Sequence, residues 1–274
     1  MTSGCRVGAA APLLAASILL AFTAAPARAD DGPIEDNSFL IEEAYNQEAG
    51  IVQHVSTFDR AGEGSDWASS FTQEWPAPNQ RHQLGYTLVY ARIDGRDGWG
   101  DAALNYRYQW RGFGEDPVAI APRLSLLVPT GDADDGLGSG AAGVQVNLPV
   151  SVRLAARWVG HWNVGGSYVP NAEGPGGAEA DVSSVNLGQS FVWLMRPKVN
   201  LLVEASWSSA EAVSGSGGTV REESFLIAPG ARFAIDRPGG FQIVPGVAVP
   251  IGVGPSDGDW SIFLYLSLEH PFGS

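Results

Sequence analysis

The stretch VQVNLPVSVRLAARWVGHW, Val144 to Trp162, decides the fold, because apolar and polar side chains alternate along it on both sides of a proline. Val144, Val146 and Leu148 share one face and Gln145 and Asn147 the other, which is the two-residue period of a strand. Beyond LPVS, Leu154, Ala156, Trp158 and Trp162 face one way, and Arg153, Arg157 and His161 face the other. The spacing predicts a β-hairpin that turns at the proline. A sheet with one apolar face needs cover, from a second sheet, a helical layer or a lipid bilayer. The chain carries almost no helical patterning, so the fold turns on whether other strands repeat this alternation and close a barrel in lipid.

They do repeat it. After Gly50 about twelve strand-like runs follow, near 50–58, 68–75, 81–91, 99–110, 118–129, 142–149, 152–162, 183–195, 199–208, 223–235, 241–251 and 260–269. Most approach the roughly 9 to 11 residues of a tilted membrane strand, and single-chain bacterial barrels have an even number of strands. The connections alternate in kind. PAPNQ, RGFGEDP, LPVS, RPK and DRPGG are short and each carries a proline, as tight turns do. DRAGEGSD, IDGRDG, TGDADDGLGSG, GGSYVPNAEGPGGAEAD, SSAEAVSGSGGTVREE and GVGPSDGD are longer or richer in Gly and Asp. Short turns at one end and long loops at the other are the pattern of an outer-membrane barrel. The expected fold is an all-β, antiparallel up-and-down transmembrane barrel of about twelve strands, with a short N-terminal helical or plug segment.

The N-terminus fits export. Arg6, an apolar run from Ala9 to Ala25 and the small-x-small site Ala27-Arg28-Ala29 read as a cleaved secretory signal over residues 1–29. Residues 30–49 then form a periplasmic or plug segment and 50–274 the outer-membrane barrel. Cys5 is the only cysteine, so the mature chain makes no disulfide, zinc thiolate or cysteine nucleophile. Loss of residues 1–29 leaves 14 Lys+Arg against 30 Asp+Glu, a net charge of −16, which argues against a nucleic-acid partner. No cofactor or metal is expected: Asp132, Asp134 and Asp135 in TGDADDGLGSG lack the Glu that closes an EF-hand loop. Aromatic residues near strand ends, among them Trp75, Tyr90, Trp99, Trp110, Trp162, Trp193, Trp207, Phe225, Phe241 and Phe272, suit two interfacial girdles in outer-membrane lipid. Phe272, just past the last strand, stands near the place where barrel insertion machinery reads an aromatic terminus, although Gly273 and Ser274 follow it.

The segments DNSFLIEEAYNQEAGIVQHVSTF (36–58), SFTQEWP (70–76), RHQLGYTLVY (81–90), GWGDAALNYRYQ (98–109), APRLSLLVPTGD (121–132) and GVQVNLPVSV (143–152) resemble the outer-membrane β-barrels grouped as MetA-pathway phenol-degradation proteins, also called transporters. The resemblance spans most of the mature chain and is strongest before residue 152. It implies a Gram-negative outer-membrane barrel that passes small aromatic or hydrophobic solutes. No residue-level transport site carries over from it.

Strand parity points Glu74, Asp101, Asn105, Arg107, Arg123, Arg153, Arg157, His161, Glu204 and Arg232 into the lumen, since an Arg at mid-bilayer on the lipid side costs about 2 to 4 kcal/mol. Two readings stay open: a charged constriction that selects solutes, and a salt-bridged filling that closes the lumen. Asp36 to Glu48 carries Asp36, Glu42, Glu43 and Glu48, opposite in sign to the lumen arginines, and its Phe39, Leu40 and Ile41 have no use in a solvated leader. The expectation is that it folds back as a plug. A non-conducting barrel that binds a partner or stabilises the envelope is the alternative function. An outer-membrane phospholipase is a third, from the His54-Val55-Ser56 spacing, which puts a base and a nucleophile on one face; the flanks do not match that enzyme's motif, and no catalytic residue is assigned.

Overall fold

The structure, a computed structural model, describes residues 38–112, 116–174, 176–215 and 217–272. The signal segment and Asp36 lie outside the described residues, as does part of the RGFGEDP turn. Sixteen strand segments form one antiparallel sheet, and four of them continue a neighbour across a break, so the wall has twelve staves. These are β1 (Ile51–Ala61), β2 (Trp67–Pro76), β3 (His82–Ile93), β4 (Arg96–Trp99 and Ala102–Tyr108) and β5 (Val118–Ile120 and Arg123–Val128). Then come β6 (Gly143–Ala155), β7 (Trp158–Gly174), β8 (Ala178–Arg196) and β9 (Val199–Ser214). The last three are β10 (Gly218–Phe233 and Ile235–Arg237), β11 (Phe241–Ala248 and Ile251–Gly252) and β12 (Ser261–Pro271). Each stave pairs with its sequence neighbours, and β1 pairs with β12 from Ile51↔Pro271 to Ala61↔Ser261, which closes the ring and leaves no sheet edge.

Alternation decides which face meets lipid. Along β4 and β5, Leu104, Tyr106, Leu124 and Leu126 are exposed, while Asn105, Arg107, Arg123 and Ser125 between them are buried. The outward aromatics form two belts. One runs Phe58–Trp67–Tyr90–Trp99 toward the end of the β1–β2 loop. The other includes Trp75, Tyr86, Phe71, His54, His270 and Phe241 near the short turns, with Trp158 stacked on Trp193. Trp67 and Trp75 lie about 27 Å apart along β2 at ~3.4 Å per residue, close to the roughly 25 Å apolar band of an outer-membrane barrel. An apolar outer surface between two aromatic belts on a closed barrel belongs in the outer membrane.

The hairpin at Val144–Trp162 turns later than its proline suggests. β6 runs straight through LPVS to Ala155, and the turn is Ala156-Arg157. Pro149 is tolerated because its missing N–H faces β5 where that stave is interrupted at Ala121–Pro122; its carbonyl still accepts from the Ala121 N–H at 3.3 Å. Two of the connections expected to be long loops are also different. GGSYVPNAEGPGGAEAD and SSAEAVSGSGGTVREE pair as continuations of β7–β8 and β9–β10, up to Gly174↔Ala178 and Ser214↔Gly218. The ladder there is held by polar pairs such as Ser167–Ser184 at 2.7 Å and Arg221–Glu211 at 3.0 Å. At ~3.3 Å per residue β8 is about 60 Å long, against a hydrocarbon layer of about 30 Å, so these hairpins project well beyond it. Water on both faces there removes the apolar–polar alternation. IDGR, by contrast, makes a two-residue turn in which Asp94 and Gly95 have φ of 52° and 79°, the left-handed pair of a type I′ hairpin.

Leu104→Arg, between the belts, is expected to cost about 2 to 4 kcal/mol in folding into liposomes, whereas Val220→Arg, on the projecting hairpin, should cost less than about 0.5 kcal/mol. Equal penalties would remove the lipid-belt assignment.

Candidate functional site

Ten inward positions anticipated from parity divide into two sets. Glu74, Asn105, Arg107, Arg123, His161, Glu204 and Arg232 are buried inside the barrel. Asp101 and Arg157 are elsewhere, while Arg153 continues the inward face of its strand at the short-turn mouth, where it lines a cavity with Glu43 and His161. Asp101 fills the break in β4 and accepts the Gly131 and Ser139 N–H groups at 3.0 and 2.8 Å, so it anchors the 129–142 loop at the far mouth. Arg157 is exposed in the β6–β7 turn, and Arg153 is an exposed residue at that same end. Arg157 leaves the lumen because the turn falls at Ala156-Arg157 and not at Pro149. The His54 Nε2 lies 3.2 Å from His270 Nε2 and its ring stacks on Phe71, so a second histidine engages the imidazole of the His-x-Ser pair.

Residues 38–48 run inside the wall, and they are not helical. A helix needs its N–H groups for its own carbonyls four residues back; here the wall takes them. The Phe39 and Leu40 N–H groups donate to the Glu204 carboxylate at 3.1 and 2.7 Å. Glu42 N–H donates to Asn163 Oδ1 at 2.7 Å and Ala44 N–H to Ser151 Oγ at 2.9 Å. Asn46 N–H donates to Gln109 Oε1 and Gln47 N–H to Gln83 Oε1, both at 2.7 Å. Gln47 Nε2 then donates to Gln53 Oε1 at 2.6 Å. These partners belong in turn to β9, β7, β6, the end of β4, β3 and β1, all near the short-turn ends of their staves. The segment therefore passes transversely around the mouth before entering β1.

Its side chains divide by chemistry. Phe39, Leu40 and Ile41 join an apolar cluster with Val192, Leu194, Leu202, Phe263 and Tyr265, and the Phe39 ring lies 5.3 Å from that of Tyr265. Inward glycines make the room: a Cβ on Gly246 or Gly230 would come within 2.5 or 2.6 Å of the Phe39 ring, and one on Gly188 within 2.4 Å of Ile41. Glu42 is fully buried and meets Arg123 Nε at 2.9 Å and Arg107 Nη1 at 3.5 Å, with Asn147 donating to the same carboxylate. Arg107 also donates through Nε to Asn46 Oδ1 at 2.8 Å and to the Glu43 and Tyr45 carbonyls. Glu43 lies 3.4 Å from His161 Nε2 and 3.9 Å from Arg232 Nη2. The cavity lined by Glu43, Tyr45, Arg153, His161 and Arg232 holds about 20 Å³, room for about one water.

Gln109, Asn147, Ser151 and Asn163 lie outside the ten anticipated positions, although they share the faces of Arg107, Arg153 and His161. Inward glycines within strands were a second available signal, since glycine there marks close approach of another group.

No protein-family model matches the chain, and no curated protein matches it. Among solved structures, the COG4313 outer membrane channel from Pseudomonas putida F1 is 14% identical, with a TM-score of 0.61 over 84% of this chain and 98% of that one. The NanC porin is 7% identical, with a TM-score of 0.51 over 81% of this chain and 100% of that one. At these identities the likeness is one of fold: the protein is an outer-membrane β-barrel built like these two.

Gly246→Val should push Phe39 from its place at an overpacking cost of about 1 to 3 kcal/mol. The released fraction would then rise about five- to 150-fold, since cleavage of an opening segment follows its open population. Chymotrypsin cutting after Phe39 or Leu40 in the folded, heat-modifiable barrel measures this, and resistance equal to wild type would refute the packing described.

Proposed function

We propose that the protein is an outer-membrane channel for small solutes, aromatic and hydrophobic ones included, whose lumen is closed at the short-turn mouth by residues 38–48. That mouth is the periplasmic one in outer-membrane barrels. The observation that carries the reading is the transverse course of this segment, locked by Glu42 between Arg107 and Arg123. A segment lying along the axis would leave a passage beside it; one running around the inside of a narrow mouth takes up its bore. A twelve-stranded barrel lies between filled eight-stranded barrels and open porins of 16 or more strands, so its interior is narrow enough for one segment to matter.

The wall supports both kinds of solute contact. Staves β3 to β7 present charged and carboxamide groups, whereas β8, β9, β11 and β12 carry most of the apolar cluster around Phe39, beside the buried Glu204 and Glu269. The two solved structures of like fold, a channel and a porin by name, favour conduction over a purely structural barrel. Affiliation with the MetA-pathway barrels and passage of their class of aromatic compound rest on the sequence resemblance. Phe272, half exposed after β12 with its N–H on the Gly50 carbonyl at 2.8 Å, is the residue we assign to recognition by the insertion machinery.

Deleting residues 31–48 should raise single-channel conductance and small-solute uptake into liposomes. Arg107→Gln with Arg123→Gln should move conductance in the same direction, because the Glu42 carboxylate loses both guanidinium partners. Arg157→Gln, in the exposed turn, should leave it at the wild-type level. Unchanged conductance in a heat-modifiable deletion barrel would overturn the closing role, and liposomes impermeable to every solute tested even then would favour the non-conducting reading.

A further inference from the structure

The segment is gripped chiefly by its main chain. Six of its N–H groups end on wall side-chain oxygens at 2.7 to 3.1 Å. Asn163 accepts the Glu42 N–H and returns its Nδ2 to the Glu42 carbonyl, each at 2.7 Å. It thus serves both main-chain groups of one residue, as the opposing residue of an antiparallel ladder does. Gln109 does likewise across two residues, accepting from Asn46 N–H and donating to the Ala44 carbonyl at 2.6 Å. Such contacts do not depend on which side chains the segment carries. Side-chain fit is added most closely at three places: the glycine-floored hollow that takes Phe39, the hollow over Gly188 that takes Ile41, and the Arg107–Arg123 pair that takes Glu42. Asn46 on Arg107 and Glu43 beside His161 and Arg232 are further side-chain contacts. Main-chain pairing with pockets for a few side chains is the way extended peptides are recognised on protein surfaces.

We infer that the short-turn mouth is a binding site for an extended peptide, of which residues 38–48 are the tethered occupant. The ligand class is a peptide with an aromatic residue, an aliphatic one two positions on, and a carboxylate immediately after. The inference rests on the proposal that the segment can leave the mouth. A tethered occupant acts at an effective concentration in the millimolar range, so free peptide at micromolar concentration fails to compete with it. Displacement of the segment uncovers the site for a peptide presented from the periplasmic side.

The test uses the barrel lacking residues 31–48 and, should that fail to fold, the full chain carrying Phe39→Ala and Ile41→Ala. Fluorescent SFLIEEAYNQE, the sequence of residues 38–48, is titrated by anisotropy against either barrel in detergent, with heat-modifiable migration as the folding check. Three further peptides complete the set: one N-methylated at the positions of Glu42 and Asn46, one keeping only the Phe, Ile and first Glu among Ala and Ser, and one scrambled. The parent and the three-residue peptide should bind within about tenfold of each other, and N-methylation should weaken binding by about tenfold or more. Binding of the parent alone would reduce the site to a private latch, and equal binding of the N-methylated peptide would remove the main-chain reading; either overturns the inference. So does absence of binding to both folded barrels, even where conductance has risen and the closing role stands. Peptide binding with unchanged conductance would retain the site and discard the closing role.

Discussion

The buried Glu42 carboxylate is the interaction on which the barrel interior depends. Arg107 and Arg123 stand directly opposite each other on β4 and β5, an arrangement of like charges that destabilises a bare pair of strands. Glu42 lies against both, with Asn147 on the same carboxylate, and so converts a repulsive register into a compensated cluster. Removing ions from water costs several kcal/mol each unless geometry and further hydrogen bonds offset it. Arg107 obtains those bonds from the segment's own carbonyls and from Asn46. Wall and segment are thus solvated by each other, with Asn105 and Ser125 of the wall completing the shell of Arg123.

The same mutual solvation explains why the segment is extended. Phe39, Leu40, Ile41 and Ala44 have spacings that a helix would also use, and nothing local forbids one. The acceptors that win its N–H groups sit on Glu204, Asn163, Ser151, Gln109 and Gln83, between 36 and 165 residues away in sequence. A non-local cause of this kind leaves no periodic trace in the segment itself. An extended chain also covers about twice the distance per residue that a helix does, which lets eleven residues pass from β9 to β1.

What the sequence made legible was the part governed by parity. Arg107, Arg123, His161, Glu204 and Arg232 were assignable because lipid forbids charge on the alternate face, a constraint that acts residue by residue. Arg157 lies in the turn and not in the lumen, for Pro149 signals a turn in most settings and is harmless here only because β5 is broken opposite it. The projecting parts of β7 to β10 were invisible for the reverse reason. Above the belt neither face meets lipid, and Ser, Gly and Glu pair as well there as Val and Trp do below. Residues 38–48 are marked by charge and by apolar residues without a use, whereas Gln109 and Asn163, which hold their main chain, stand out less than charges do, since a neutral amide costs less to bury.

The interior is divided around its circumference more than along its axis. Arg107, Arg123, Asn147 and His161 lie on β4 to β7, and Val192, Leu202, Val244 and Phe263 on β8, β9, β11 and β12, with Glu204 of β9 and Arg232 of β10 as buried charges on the apolar side. Phe39 to Ile41 lie in the apolar sector, and Glu42 to Gln47 are held mostly in the other, Glu43 reaching Arg232 as well. Its sequence order, apolar then acidic, is the order of the sectors it meets. Reversing that order would bury Glu42 among aromatic rings and leave Phe39 against guanidinium groups, an exchange that forfeits the ion pairs and strands buried charge at a cost of several kcal/mol. In the observed register Glu42 meets Arg123 and Arg107, while Phe39 lies over Gly230 and Gly246 and Ile41 over Gly188. The closest side-chain fits are thus to two arginines and three glycines, while six N–H groups of the segment bond wall side chains whatever side chains it carries.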